Sequence, residues 1–224
     1  MWLNVPTSGP ATTQVLIGQP ITIVGNGGTD ALVFDSTNGS PLGPKLILNS
    51  GAGSFTVSGL PGIATGQVID IGKSNVNIPY TGASILPAVQ SALKSGYNNG
   101  AWNGTTGILS SDAAASAGKF GVADVDNGVV RLSYRVIGDL NTDGSVNFTD
   151  LLALAQHYNN TGVDWSKGDL NYDGTVNFSD LLALAQHYNQ TAAAASAQGA
   201  AAAAITADDL LLLTRRGRKA PATH

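Results

Sequence analysis

The 224-residue chain contains no cysteine and no glutamate. Without thiols it forms no disulfides, no thiolate nucleophile and no zinc–thiolate site. No apolar run is long enough to span a bilayer, because the weakly apolar Ala run from 192 to 204 is cut off from Leu210–Leu213 by Asp208 and Asp209. The net charge is −4, and the one basic cluster is Arg215, Arg216, Arg218 and Lys219. That distribution argues against nucleic acid, whose binding needs a cationic surface to neutralise phosphates. The first nineteen residues have neither a basic start nor an apolar stretch, so no secretory leader is visible and Met1 is read as the start of a fragment.

Glycine is abundant at 28 residues, and this together with few charges and few aromatics describes a loop-rich β protein better than a helical enzyme. Up to about residue 82, short β-prone runs alternate with Gly, Asn, Ser and Pro: Gln14 to Val24, Lys45 to Asn49, Ser54 to Ser58 and Gln67 to Ile71. Leu86, Val89, Leu93 and Tyr97 recur at helical spacing and predict a helix over 85–97. A turn-rich stretch around Trp102 follows, and Val129 to Ile137 alternates as a closing strand should. The expected fold is multi-domain. A β-rich domain over 1–136, either a β-helix end or a β-sandwich, precedes a small α-helical domain over 137–190 and an Ala-rich tail over 191–224 expected to lack order.

The helical domain is a tandem repeat. Gly138 to Asn159 and Gly168 to Asn189 differ at only three positions, Thr142/Tyr172, Ser145/Thr175 and Thr149/Ser179. Each copy is an acidic loop followed by a short helix that would be unstable alone. Leu151, Leu154, Ala155 and Tyr158 fall on one face, as do Leu181, Leu184, Ala185 and Tyr188, so the two helices are expected to bury these stripes together.

Seven of the fifteen Asp residues lie between Asp139 and Asp180, with Lys167 the only cationic side chain among them. Carboxylates crowded in this way repel one another unless a cation sits between them. A twelve-residue calcium loop takes oxygen ligands from positions 1, 3, 5, 7 and 12 around a glycine at 6. Asp139, Asn141, Asp143, the Ser145 carbonyl and Asp150 occupy these places around Gly144. Asp169, Asn171, Asp173, the Thr175 carbonyl and Asp180 do so around Gly174, which implies two Ca2+ ions. Asn147 and Asn177, at position 9, are placed to hold a bridging water. Asp replaces the usual Glu at position 12, and the helix that ordinarily enters such a loop is missing.

A doubled GD-x-N-x-DG-x-V-x-x-x-DLL with this spacing resembles the type I dockerin family over residues 137–190. The resemblance implies a module that folds on binding two calcium ions and docks into a cohesin domain. In that family such docking assembles polysaccharide-degrading enzymes on a scaffold or cell surface, so an extracellular setting is expected. The positions matching the family's recognition residues are Phe148, Thr149, Ala155 and Gln156, repeated as Phe178, Ser179, Ala185 and Gln186. They depart from the usual hydroxyl pairs and basic helix residues by offering a Phe and an uncharged surface. More loosely, residues 67–137 resemble the segment that precedes dockerin-like C-termini in secreted bacterial surface proteins with β-strand repeats. The run LLLLTRRGRK resembles a C-terminal sorting signal without its Pro-Glu-Pro motif.

An enzyme is not expected. A glycoside hydrolase needs two carboxyl groups a few ångströms apart, and outside the loops only Asp124 and Asp126 could share a strand face, within a stretch, Ala123 to Gly128, that reads as a turn. The alternative function is a carbohydrate-binding β domain that stacks sugars on Trp2, Trp102, Trp165, Tyr80 and Tyr97, with the repeats as a calcium-stabilised end-module lacking a cohesin partner. Against it, Trp102 reads as pinning a loop to the core, and Trp165 as capping the paired helices.

Overall fold

The computed structural model describes residues 20–25, 28–33, 45–51, 53–58 and 67–193. The short runs wind back and forth between two sheets. Strands β1 (Ile21–Val24), β3 (Lys45–Asn49), β5 (Val68–Asp70) and β7 (Gly107–Leu109) form one sheet, all neighbours parallel. Strands β2 (Thr29–Val33), β4 (Ser54–Ser58) and β6 (Asn75–Pro79) lie parallel in the other. Successive strands up to β6 therefore change sheet, and each coil stacks on the one before it. This is the β-helix form of the two expectations. The β-sandwich is overturned, since sandwich neighbours run antiparallel. Alternation sets the inside: Leu46 and Leu48, Phe55 and Val57, and Val76 and Ile78 are buried between the sheets.

The coil is closed at its C-terminal end. Helix α1 (Leu86–Tyr97) buries Leu86, Val89 and Leu93, as its spacing predicts, and stops where Asn98 turns left-handed and its N–H reaches Lys94 O. It meets β7 at main-chain distance, because a Cβ on Gly96 would lie 1.8 Å from Ile108 O and one on Gly107 2.2 Å from Ala92 O; only glycine permits that approach. Trp102 is buried and pins its loop to the core. After the short helix α2 (Ser111–Ala115), capped by Ser110, strands β8 (Phe120–Asp126) and β9 (Val129–Val136) form an antiparallel hairpin that completes the second sheet in the order β2-β4-β6-β9-β8. The turn expected over Ala123 to Gly128 is corrected to Asn127 and Gly128 alone. Pairing with β9 continues as far as Asp126 opposite Val130, and ladder formation with burial of Val122 and Ala123 outweighs local turn preference.

Helices α3 (Phe148–Gln156) and α4 (Phe178–Gln186) follow the two acidic loops, and a 3-10 turn, Trp165–Lys167, lies between the repeats. One hydrophobic core runs through both parts of the chain. Trp165 is fully buried over β8, where a Cβ on Gly121 would lie 3.0 Å from its ring, and the 3-10 turn it opens also borders α3. Its indole N–H donates to Asp139 O at 2.8 Å. From α1, Gln90 Nε2 donates to Val163 O at 2.7 Å and Lys94 Nζ to Asn171 O at 3.1 Å. Thr191 bridges to Ser145 and Ala192 N–H reaches Gly144 O, so the paired unit continues past residue 190. Trp2, the run before Pro20 and the tail from 194 lie outside the described residues. Among those described, no helix is long and apolar enough to cross a membrane.

Candidate metal centre and docking faces

Each acidic loop is organised by its own side chains. Asp150, at position 12, accepts from Leu140 N–H at 2.9 Å through one oxygen and from Asn147 N–H at 2.9 Å through the other. Asp180 does the same with Leu170 and Asn177 N–H groups. A carboxylate oxygen has two lone pairs, so these bonds leave capacity for a cation. Asp139 and Asp169 take the N–H groups of Gly144 and Gly174, while Asp143 and Asp173 take those of Ser145 and Thr175. Asn147 and Asn177 are helix N-caps that accept from Thr149 and Ser179 N–H. They close capping boxes with Asp150 and Asp180. A cap satisfies N–H groups that the first helical turn leaves free.

Negative charge here is poorly compensated. Burial pushes the Asp169 carboxyl up to about 6, and the carboxylates of Asp180 and Asp173 push it the same way. Burial also raises Asp139 and Asp180, with Asp150 and Asp143 adding to the effect at Asp139 and Asp173 to that at Asp180. One buried oxygen of Asp139, Oδ1, has no hydrogen-bond partner. A bound divalent cation removes all of these penalties at once. Among the described residues no three His, Cys, Asp or Glu side chains, the three aspartates of each loop included, stand close enough together to hold an ion by themselves. A complete shell therefore draws on the Asn141 and Asn171 amides and the carbonyls of Ser145 and Thr175, a donor set of oxygens that suits calcium.

The repeats interlock as a pseudo-twofold pair. Ser145 in the first loop bridges to Thr191 beyond α4, and Thr175 in the second bridges to Thr161 beyond α3. The expected joint burial of the helix stripes is corrected. Leu154 packs beside Gly168 and Val176, and Leu184 beside Gly138 and Val146, so each helix seats its leucine on the other repeat's loop. Ala155, Tyr158, Ala185 and Tyr188 are exposed. The helices also differ at their ends: both histidines bond through Nδ1 to their own helix, at Ala153 O and Ala183 O, but His187 is buried with its Nε2 2.8 Å from Gly118 O.

All eight predicted recognition residues face solvent: Phe148, Thr149, Ala155 and Gln156 on α3, and Phe178, Ser179, Ala185 and Gln186 on α4. Phe148 and Phe178 are each 65% exposed. None of the eight faces the β coil. Sequence reasoning missed Leu152 and Leu182, exposed at 45% and 46%. They stand one turn on from the phenylalanines, so Phe148, Leu152 and Ala155 form an outward apolar stripe that α4 repeats as Phe178, Leu182 and Ala185.

The remaining candidates are held in the interior or at its edge. Asp124 is fully buried; burial holds its carboxyl well above the usual range, and nearby Asp169 and Asp164 add to this. Its partner on the strand face, Asp126, accepts from Tyr80 at 2.8 Å and from Ser84. Trp102 and Trp165 are buried and unavailable for stacking on a sugar.

Each of the two interlocked acidic loops is followed by an asparagine-capped α-helix and preceded by none. Residues 137–189, toward the C-terminal part of the chain, match the family model described as the dockerin type I domain, which covers about a quarter of the sequence. A dockerin of this type implies calcium binding and calcium-dependent docking to a cohesin. Comparison with curated proteins and with solved structures returned no match.

Proposed function

We propose that the paired unit binds two calcium ions, one per loop, and docks an extracellular β-helical protein onto a cohesin-type partner, in polysaccharide breakdown or cell-surface assembly. Asp139, Asn141, Asp143, Ser145 and Asp150 hold one ion, and Asp169, Asn171, Asp173, Thr175 and Asp180 the other. Each ion supplies the positive charge that lets the loop carboxylates approach and fixes the following helix. The observation that carries the docking reading is the pair of outward stripes headed by Phe148 and Phe178, each 65% exposed. Contiguous exposed apolar residues mark interaction surfaces. With Thr149, Gln156, Ser179 and Gln186 uncharged at their flanks, the complementary partner surface is an apolar recess. No catalytic step is assigned to the chain, because Asp124 is closed off from solvent. Calorimetric titration of the full chain with calcium tests this reading, with Asp139→Ala/Asp169→Ala as control. Two ions bound by the native chain and none by the control support it; no ion bound by the native chain sinks it.

A second reading, glycan binding by the β coil, is favoured by an open groove of about 750 Å³ on the second sheet. Thr29, Ser54, Asn75 and Asn77 line it with hydroxyls and amides, beside Arg131 and Arg135. Neither arginine makes an ion pair among the described residues. Among the described residues the lining has no aromatic ring, which suits an acidic glycan better than a neutral one held by stacking. Binding of polygalacturonate that disappears in Arg131→Ala/Arg135→Ala supports this reading, and its absence removes it.

A further inference from the structure

Two loops of nearly identical sequence are held in different ways. Position 4 is Thr142 in one and Tyr172 in the other, and both are left-handed, with φ of 60° and 58°. That backbone is unfavourable for any residue with a Cβ and most so for a β-branched one. Tyr172 is anchored there. It is 3% exposed, its hydroxyl bonds both main-chain groups of Val122, and its ring meets Tyr97 and Trp102 edge-on at 5.3 and 5.8 Å. The preceding residue, Asn171, gives its carbonyl to Lys94 of α1. Among the described residues Thr142 has no such anchor: it is half-buried at the rim of the open groove. Among the described residues, the hydrogen bonds of Asn141 are to Asp143 and Asp150 of its own loop.

We propose that the two loops are non-equivalent calcium sites: the second, Asp169 to Asp180, is preorganised by the β coil and fills first, while the first, Asp139 to Asp150, fills only at higher calcium. This rests on the calcium reading above. A loop whose strained residue is already held by packing loses less freedom on binding, and that difference emerges as affinity. The docking faces inherit the order. Phe178 begins the helix that Asp180 ties to the second loop, and Phe148 the helix that Asp150 ties to the first. At limiting calcium the α4 stripe is presented while the α3 stripe lags, so calcium level selects between two otherwise symmetric docking orientations.

The test removes one site at a time in the full chain. Asp143 and Asp173 are exposed residues at equivalent positions, and the reciprocal bridges make the two losses comparable. Calorimetry with calcium chloride is expected to show that Asp143→Ala, which keeps the second loop, binds its single ion at least about tenfold more tightly than Asp173→Ala, a difference of about 1.4 kcal/mol. Adding Tyr172→Thr to Asp143→Ala should bring its affinity down toward that of Asp173→Ala. Should that variant not fold, Tyr172→Phe, which removes only the Val122 bonds, should weaken the same site by a smaller factor. Affinities within about twofold of each other, or in the reverse order, overturn the inference while leaving calcium binding intact. Failure of the native chain to bind any ion overturns both.

Discussion

The Tyr172 hydroxyl donates to Val122 O at 2.7 Å and accepts from Val122 N–H at 3.2 Å. Val122 lies on β8, the edge strand of its sheet, and a side chain fifty residues further along the chain does for it what a neighbouring strand would do. Tyr172→Phe leaves both groups buried without a partner. Unfolding by urea with calcium present is expected to show a loss of about 2–3 kcal/mol. A loss under about 0.5 kcal/mol would mean that the two groups find other partners.

Exposure of the two phenylalanines separates docking from folding. Phe148→Ala and Phe178→Ala, singly or together, should leave thermal unfolding within about 0.5 kcal/mol of the native chain, since neither ring is in the core. Against a cohesin domain in calcium-saturated buffer, each single variant should retain binding through the other stripe and the double variant should lose it. A double variant that binds as well as the native chain would place the docking surface elsewhere.

Asp124 predicts a dependence on pH. Burial, with Asp169 and Asp164 nearby, raises its carboxyl well above the ordinary range, so the folded state keeps a proton that the unfolded chain has released. Stability from this group is complete below the ordinary carboxylate value of 3.8 and declines as pH rises through the raised one. Asp124→Asn removes that decline. Its melting temperature relative to the native chain should therefore climb from pH 5 to pH 8, and a flat difference would show that the carboxyl is not protonated inside.

Calcium removal should leave a pH dependence of the same sign. Without an ion, Asp169 titrates near 6, so protons relieve the crowded loop and the chelated protein should gain stability as pH falls from 7 toward 4. With calcium the carboxylates must be ionised, and affinity should fall as pH drops below about 6. Melting curves at several pH values, with chelator and with calcium, are expected to converge at the acid end. Curves that stay parallel would exclude competition between protons and the ion.

Much of this was legible in the chain. The repeats announced their loops because Asp, Asn and Gly at fixed offsets carry a local geometry, β-prone runs between turn residues announced the strands at Lys45–Asn49 and Ser54–Ser58, and alternation over Val129 to Ile137 announced the strand that ends at Val136. Helices α3 and α4 misled at their surfaces. Nine residues with apolar side chains on several sides, Leu151, Leu152 and Leu154 among them, do not fix which side is inward. Their packing is decided by the opposite loop, where Gly168 and Gly138 leave room for Leu154 and Leu184. The seat of Tyr172 was illegible for a related reason. Its one-letter difference from Thr142 was visible, but its partners Val122, Tyr97 and Trp102 come together only through the whole topology.

Trp165 and Tyr172 help fasten the paired unit to the coil apart from the peptide link through Ile137 and Gly138, the Trp165 main-chain N–H donating to Asp124 Oδ1 at 3.3 Å and the Tyr172 hydroxyl bonding Val122. Under tension between a captured partner and the rest of the protein, that arrangement spreads the load. A single linker would swing like a hinge and pass all of the pull through one strand of main chain. Here the Trp165 bond to Asp124, the tyrosine bonds to Val122 and the Lys94 contact would strain together, so the joint resists as a rivet does and a docked partner would be held at a fixed angle to the coil.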